Sequence, residues 1–578
     1  MASRKATMAA SSAAHELLAA LLSSGVNKAL RRPPPPPARS PAVHRCLPPA
    51  SRLAGTGTTT ATTTTLVVDV DGALLRRGSA SSLFPYFMLV ALEAGGFLRG
   101  LALLLLYPLI LLLALLLLGT SGNNRDLAVR AMACVAFCGL RARSFRAGRA
   151  VMPRWLLEDA AAEAMDVARR AGGGADGEPA RKKKVVWASA MPRVMVEPLL
   201  REYLMVPAGE VVAAREMRTV CGFYTGLMDD DGGFGETIVS ELMRKKKKKN
   251  KADGSDNDDD DVVGFSGGGS MDFLRTPIAS ICKDVYVVSA EEQRKWRGLA
   301  RSAYPRRPLV FHDGRLAFLP TPSATLAMYT WLPLGAVLSI LRLAASIALP
   351  YRVATLLHAA TGQSWRLRST LPPCHVTSTG GGGQLYACNH RTLIDPVYVS
   401  IALDRPVRAV SYSLSRVSDF LSPIGPTVRL ARDRAQDGAA MARLLASGAR
   451  VVVCPEGTTC REPYLLRFSP LFAELAGGEN GNGVVPVALA VETGMFYGTT
   501  AGGWKGVDPF YYLANPRMCY TVEFLERVDT AEVREGKVPS TDVANRVQRD
   551  IAQALGYQCT MLTRRDKYRV LAGNDGTG

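Results

Sequence analysis

Twenty-five consecutive residues, Gly100 to Asn124, carry no charge and include 13 leucines. At 1.5 Å per residue, a helix of that length exceeds the roughly 30 Å hydrocarbon core of a bilayer. Residues 97–118 therefore read as a membrane segment, with Pro108 near the middle able to kink it. Arg76, Arg77 and Arg99 precede it, and Arg125, Arg130, Arg141 and Arg143 follow it. Basic residues on both sides leave its orientation undetermined. A second uncharged window, Leu316–Leu341, holds Trp331, Pro320, Pro322 and Pro333. It reads as an interfacial or re-entrant stretch within a membrane-associated connector over 316–350.

The rest of the 578 residues must fold around these segments. A hydrophobic fraction of 48% supports real cores and excludes a mainly disordered chain. Eleven cysteines are too sparse for a disulfide scaffold and suit reduced, buried thiols. Cys134 and Cys138 lie one helical turn apart, with no second pair to complete a zinc site. The net charge of +19 comes without a helix-turn-helix, zinc-finger or aromatic-basic sheet signature. An anionic membrane surface is the expected partner, and nucleic acid is not. Residues 1–68 hold one acid, Glu16, against eight Lys or Arg, with Pro33–Pro37 and a Thr-rich stretch at 56–65. A disordered basic region over 1–65 is expected, and the same composition suits an organelle transit peptide.

Residues 66–75, LVVDVDGALL, read as a buried parallel strand presenting Asp69 and Asp71 at its carboxyl end. Residues 182–190, KKKVVWASA, read as another strand ending at Ser189. These two runs resemble the first and second motifs of haloacid-dehalogenase-like phosphatases, which implies that Asp69 and Ser189 meet in one domain although the Leu-rich segment separates them. A single crossing would put them on opposite faces of the membrane. The region 83–118 is therefore expected to cross an even number of times, or to dip in and return near Pro108 as a re-entrant or monotopic hairpin. Residues 244–261, RKKKKKNKADGSDNDDDD, read as a solvated disordered insertion. From 384 to 576, strand-like runs alternate with helical windows, which suits a second α/β domain.

The sharpest chemical pattern is Asn389-His390-Arg391-Thr392-Leu393-Ile394-Asp395, preceded by the strand QLYAC. On a loop entering a helix, Asp395 can orient the His390 imidazole and leave its other nitrogen to take a proton from an alcohol. Alone, a histidine five positions before an aspartate also arises by chance. Further on, VVVCPEGTT spans 451–459, with Arg461 and Arg467 after it. A strand ending in Pro-Glu-Gly-Thr offers N–H groups, hydroxyls and guanidinium groups to an anion such as phosphate. Between the two lies GPTVRLAR, 425–432, and after them VVPVAL, 484–489.

These four blocks, in this order over roughly 384–490, resemble the glycerolipid acyltransferase family. The resemblance implies that His390 is the general base with Asp395 as its partner. It implies that Arg432, Glu456, Gly457, Thr458 and Arg461 bind the glycerol phosphate. The family has Phe where this chain has Cys454; Cys454 and Cys388 then read as core thiols. Asp69-Val70-Asp71 resembles the first motif of haloacid-dehalogenase-like phosphatases, with Ser189 as the second motif's hydroxyl and Lys283 as the lysine that neutralises a phosphoaspartate. The fusion resembles the land-plant glycerol-3-phosphate acyltransferases, whose sn-2 products feed cutin and suberin.

That resemblance implies a haloacid-dehalogenase-like α/β domain over 66–310 with a membrane insertion, followed by a glycerolipid acyltransferase α/β domain over 351–578. It implies acyl-CoA as co-substrate, glycerol-3-phosphate as acceptor and the lipid bilayer as partner, at the endoplasmic reticulum with sites facing the cytosol or at a mitochondrial membrane. The alternatives are lysophosphatidic acid or another acceptor, or a bifunctional enzyme releasing monoacylglycerol. The acid pair that holds Mg²⁺ in active phosphatases of this kind falls at Met271 and Arg275, with only Asp272 nearby, and Ala73 replaces the usual Thr. The phosphatase-like half is therefore expected to be inactive, with no bound metal and no resident cofactor.

Overall fold

The apolar runs of the sequence become strands in the computed structural model. It describes residues 41–49, 65–76, 83–118, 124–172, 184–229, 262–268, 273–276, 278–305, 311–368, 383–411, 428–429, 433–476, 483–503 and 505–575. The chain divides into two units, Met1–His312 with Leu319–Leu326, and Asp313–Phe318 with Ala327–Gly578.

In the first unit, β1 (Ala42–His44), β2 (Thr65–Asp69), β3 (Lys184–Ala188) and β4 (Val211–Ala213) precede a hairpin of β5 (Met217–Val220) and β6 (Phe223–Met228). Then come β7 (Val262–Ser266) and β8 (Asp284–Val287). The main sheet is parallel throughout, in the order β1-β8-β7-β2-β3-β4. Every residue of β2 is buried, as a central strand covered on both faces requires. The chain leaves β2 toward β3 on one side and returns through β7 on the other. The carboxyl end of β2 is thus a topological switch point, where open α/β sheets form crevices. The expectation of disorder up to residue 65 is corrected at β1. His44 stacks on Tyr286 with ring centroids 4.8 Å apart and bonds Asp284 at 3.0 Å, giving this short edge strand side-chain anchors.

The Leu-rich segment forms one 22-residue helix between two others: α1 (Phe84–Glu93), α2 (Phe97–Leu118) and α3 (Asn124–Phe137). Helix α2 runs unbroken through Pro108, so the expected return near that residue is not where the chain turns. The return is α3 itself. Arg99, at the start of α2, donates to the carbonyls of Ala136 and Cys138 at the end of α3, at 3.2 and 2.5 Å. A guanidinium there complements the negative end of the α3 dipole. Leu103, Tyr107, Ile110 and Ala114 form the buried stripe of α2, at spacings of four, three and four. Leu105 and Leu116, 69% and 67% exposed, lie on its outer side.

The second unit has a seven-stranded sheet ordered β12-β11-β13-β10-β15-β16-β9. Its strands are β9 (Gln363–Leu367), β10 (Gln384–Cys388), β11 (Arg408–Ser411), β12 (Val428–Arg429), β13 (Arg450–Val453), β15 (Val484–Thr493) and β16 (Met518–Phe524). β14 (Tyr464–Leu465) and β17 (Gln558–Cys559) pair separately. Alternate residues go to opposite faces with the period of two that strands impose. Leu385, Ala387, Val451 and Val453 join one core, while Tyr386, Cys388, Val452 and Val487 join the other. Helices α4 (Pro322–Ala348), α5 (Asp395–Leu403) and α6 (Ser540–Leu555) follow in chain order among others, and α5 and α6 pack on this sheet. Within this unit α4 lays one face on the 508–515 segment. Trp331 donates to Ala514, Ser339 to Phe510, and the fully buried Arg342 to Leu513, Asn515 and Thr361.

Candidate active site

Register explains why two motifs 65 residues apart meet. β10 and β13 are parallel neighbours with Ala387 opposite Val453, so Asn389-His390 and Pro455-Glu456 leave the sheet together. Asn389 locks the exit. It is fully buried, and its amide donates to and accepts from the Leu489 backbone on β15 at 2.9 and 2.8 Å. The His390 backbone is held from both sides: its N–H donates to Glu456 Oε1 at 2.7 Å, and its carbonyl accepts from the Cys460 N–H at 2.7 Å.

His390 Nδ1 lies 2.9 Å from Asp395 Oδ2. Asp395 opens α5, with Pro396 next, where an acid favours the helix dipole and a proline loses no hydrogen bond. Its carboxylate, buried completely, accepts from the N–H of Arg391 at 2.6 Å, the N–H and hydroxyl of Thr392 at 2.8 Å each, and the Tyr520 hydroxyl. Tyr520 stacks on Tyr398 with ring centroids 3.7 Å apart. The motif's spacing is therefore the reach of a loop that wraps its own backbone donors round one carboxylate.

Burial disfavours the His390 imidazolium, but Cys454 and Asp395 oppose it and hold the group well above 6.5. Cys454 is itself pushed up, by the hydrogen bond with Cys388 and then by burial. A neutral thiol carries no charge for an imidazolium, so at neutral pH the pull on His390 is that of Asp395.

Both oxygens of Glu456 are taken by backbone N–H groups, of His390 at 2.7 Å and Leu466 at 2.9 Å, and the residue is 4% exposed. Its carboxylate holds the His390 backbone in place. Burial raises it to about 7, against the pull of those two donors. Gly457 makes the turn at φ +65°, with its N–H on the Cys454 carbonyl at 3.1 Å. Arg461 is committed to the carbonyls of Gly314 and Thr499, lies 3.6 Å from Asp313, and stacks on Tyr497. Thr458 lies 3.4 Å from the ammonium of Lys567, a buried lysine that also donates to the Thr459 carbonyl. Arg432 lies outside the described residues.

Sequence reasoning missed Tyr520, Arg391 and Lys567. Arg391 donates to the carbonyls of Cys460, Arg461 and Glu462 and lies over the Tyr557 ring, which ties the His390 loop to the Pro-Glu-Gly-Thr turn. Only Arg391, inside the block, carried a local signal. Tyr520 and Lys567 lie far along the chain.

In the first unit, Asp69 and Asp71 meet Ser189 as expected. Asp71 accepts from the Ser189 hydroxyl and the Ala190 N–H, both at 2.6 Å. Asp69 accepts from the Gly72 N–H at 3.0 Å and the Ser266 hydroxyl at 2.7 Å. Lys283 is a correction. Its N–H bonds Val262, which pairs with Thr65, so Lys283 sits at the amino ends of the strands. Four residues at about 3.3 Å each separate that level from Asp69. The fold implies a Mg²⁺ ion at this place, and among the described residues no third His, Cys, Asp or Glu gathers with Asp69 and Asp71 to hold it. Neutral donors meet all four aspartate oxygens, the Ser266 hydroxyl among them. Met271 and Asp272 lie outside the described residues, as does the side chain of Arg275.

The fold and the site together define a haloacid-dehalogenase-like unit joined to an acyltransferase. Residues 65–288 match the family described as "Glycerol-3-phosphate acyltransferase RAM2-like, HAD-like domain", and residues 368–490 match the acyltransferase family. "Probable glycerol-3-phosphate acyltransferase 3" of Arabidopsis thaliana is 43% identical over 518 residues, covering 88% of this chain and 90% of that protein. "Glycerol-3-phosphate acyltransferase RAM2" of Petunia hybrida is 39% identical over 510 residues, covering 88% and 97%. The chain belongs to the plant glycerol-3-phosphate acyltransferase family.

Proposed function

We propose that this enzyme moves a fatty acyl group from acyl-CoA to the sn-2 hydroxyl of glycerol-3-phosphate and releases lysophosphatidic acid with its phosphate intact. The observation that carries the chemistry is the Asp395–His390 pair, held at 2.9 Å on a loop whose backbone hangs from Glu456. His390 takes the hydroxyl proton as the alcohol attacks the thioester carbonyl, Asp395 stabilises the imidazolium, and the proton passes to the departing CoA thiolate. No covalent enzyme intermediate and no resident cofactor is required. Thr458, Arg461 and Lys567 gather at the Pro-Glu-Gly-Thr turn, and with Arg432 they are the proposed phosphate ligands.

The haloacid-dehalogenase-like unit is a scaffold in this reading. Its boundaries at 66–310, and those of the acyltransferase part at 351–578, are proposed as functional divisions. The enzyme sits monotopically on the endoplasmic reticulum with its sites in the cytosol. Among the described residues two helices are long and apolar enough to cross a bilayer, within Phe97–Leu116 and Pro322–Ala348. Support for lying on the surface comes from α3, which is tied to its unit along its length. Asp126 pairs with Arg215, and a side chain at Gly226 would meet the Cys134 backbone at 2.7 Å.

The test incubates membranes holding the full-length protein with labelled glycerol-3-phosphate and acyl-CoA, wild type beside His390→Ala and Asp69→Asn. His390-dependent sn-2 lysophosphatidic acid without monoacylglycerol is expected. Monoacylglycerol that vanishes in Asp69→Asn would overturn the inactive-phosphatase reading. Acylation of added lysophosphatidic acid in place of glycerol-3-phosphate would replace the acceptor.

A further inference from the structure

Two thiols sit where the motif strands leave the sheet. The β10–β13 register places Ala387 opposite Val453; Cys388 ends β10 and Cys454 directly follows β13, and their sulfur atoms lie 3.5 Å apart. Neighbouring strands run about 4.8 Å apart, inside the roughly 4.4 to 6.8 Å separation of Cα atoms that a disulfide spans. Bringing the sulfur atoms to a bond of about 2 Å requires each to move by less than about 1 Å. Cys388 is buried, whereas Cys454 is half-buried, which leaves Cys454 as the thiol a small oxidant reaches first. Cys454 Sγ also lies within 4.8 Å of a His390 ring nitrogen and an Asp395 oxygen.

We propose that Cys388 and Cys454 form a thiol–disulfide switch in the floor of the acyltransferase site, closed by peroxide and reopened by small dithiols. Its effect on activity rests on the role of His390 proposed above. Cys454 gives its proton to His390, and its thiolate attacks one peroxide oxygen. The O–O bond breaks, Cys454 becomes a sulfenic acid, and the departing hydroxide takes up the proton as water. The Cys388 sulfur then attacks the Cys454 sulfur, forming the S–S bond and releasing a second water with the Cys388 proton. Two thiols lose two protons and two electrons, and one peroxide becomes two waters.

The bond would tether the last residue before Asn389-His390 to the residue before Pro455-Glu456. His390 depends on Glu456 for its backbone position, so a shift at either exit displaces the base. The hydrogen bond with Cys388 and burial keep the Cys454 thiol protonated, so the pair stays reduced until a strong oxidant is present.

The test uses the full-length protein in lipid–detergent micelles, treated with hydrogen peroxide. It is then assayed for acyl transfer and digested without reductant for mass spectrometry. A linked Cys388–Cys454 peptide is expected, with transfer falling about tenfold or more and recovering in dithiothreitol. Cys388→Ala should keep basal transfer within about twofold and lose the peroxide response, and Cys454→Phe should lose that response relative to its own untreated rate. An equal peroxide response in both variants would overturn the switch, as would a linked peptide with transfer unchanged. If no transfer is seen before oxidation, the proposed function fails by itself. The linked peptide, present or absent, then still decides whether the pair closes.

Discussion

At His390 the opposing forces can be weighed. Burial, the largest influence, disfavours the imidazolium, while Cys454 and the Asp395 carboxylate, the latter fixed by four other donors, together outweigh it. A general base works as the neutral ring, so kcat/KM should rise with pH through a folded-state value above 6.5. Asp395→Asn should move that acidic limb down and lower kcat about 10²- to 10⁴-fold, and Tyr520→Phe, which removes one donor, should cost about tenfold. The pH profile of kcat/KM for the three proteins checks this, and a wild-type limb at or below 6.5 would mean that burial prevails. The same raised value stabilises the fold below the unfolded-state value, and that stability is lost as pH rises through the folded-state one. Glu456→Gln leaves one of two buried N–H groups facing an amide that cannot accept, at about 1 to 3 kcal/mol by denaturant unfolding.

Elements decide what a motif can do. Asp69, Asp71 and Ser189 were legible because they lie at or just past the carboxyl ends of β2 and β3 in the same parallel sheet. Lys283 was misplaced because its assignment rested on order along the chain, whereas strand direction determines which end of the sheet a residue occupies. Ser266 escaped notice as a common residue in a Gly-rich run, yet its hydroxyl is what meets Asp69. Ser266→Asp would set a carboxylate against Asp69, and like charges repel when buried. Its melting temperature should fall without Mg²⁺ and recover with it, while wild type should be indifferent; a Mg²⁺-stabilised wild type would show that a metal is held there after all. In α4, Arg342 answers the carbonyls at Leu513, Asn515 and Thr361. Arg342→Met should leave them unanswered and cost about 2 to 5 kcal/mol, read from denaturant midpoints.

For the whole molecule the issue is where the apolar surface goes. Leu334, Val337 and Leu341 of α4 are each more than half exposed, opposite the face that carries Trp331, Ser339 and Arg342. Such a face is costly in water, and under the proposed membrane association lipid would cover it at little cost. Replacing those three residues with Glu should shift the protein from membrane pellet to supernatant without lowering its melting temperature. Retention in the pellet would indicate a spanning segment held by something other than this face.

Composition and motif order were enough to determine two α/β units, an apolar segment too long for an ordinary soluble helix, and the His390–Asp395 pair. Those features are local: a strand's burial, a loop's donors and a helix's length are written within a few consecutive residues. Tertiary structure decided the rest. The hold of Glu456 on the His390 backbone arises because parallel β10 and β13 bring the two exits together. Pro108 proved no turning point because α3 returns outside the helix. Cys388 and Cys454, read singly as core thiols, became a pair only through strand register. Contacts across a sheet join residues whose separation along the chain carries no trace of their meeting, and a reading that runs along the chain cannot see them.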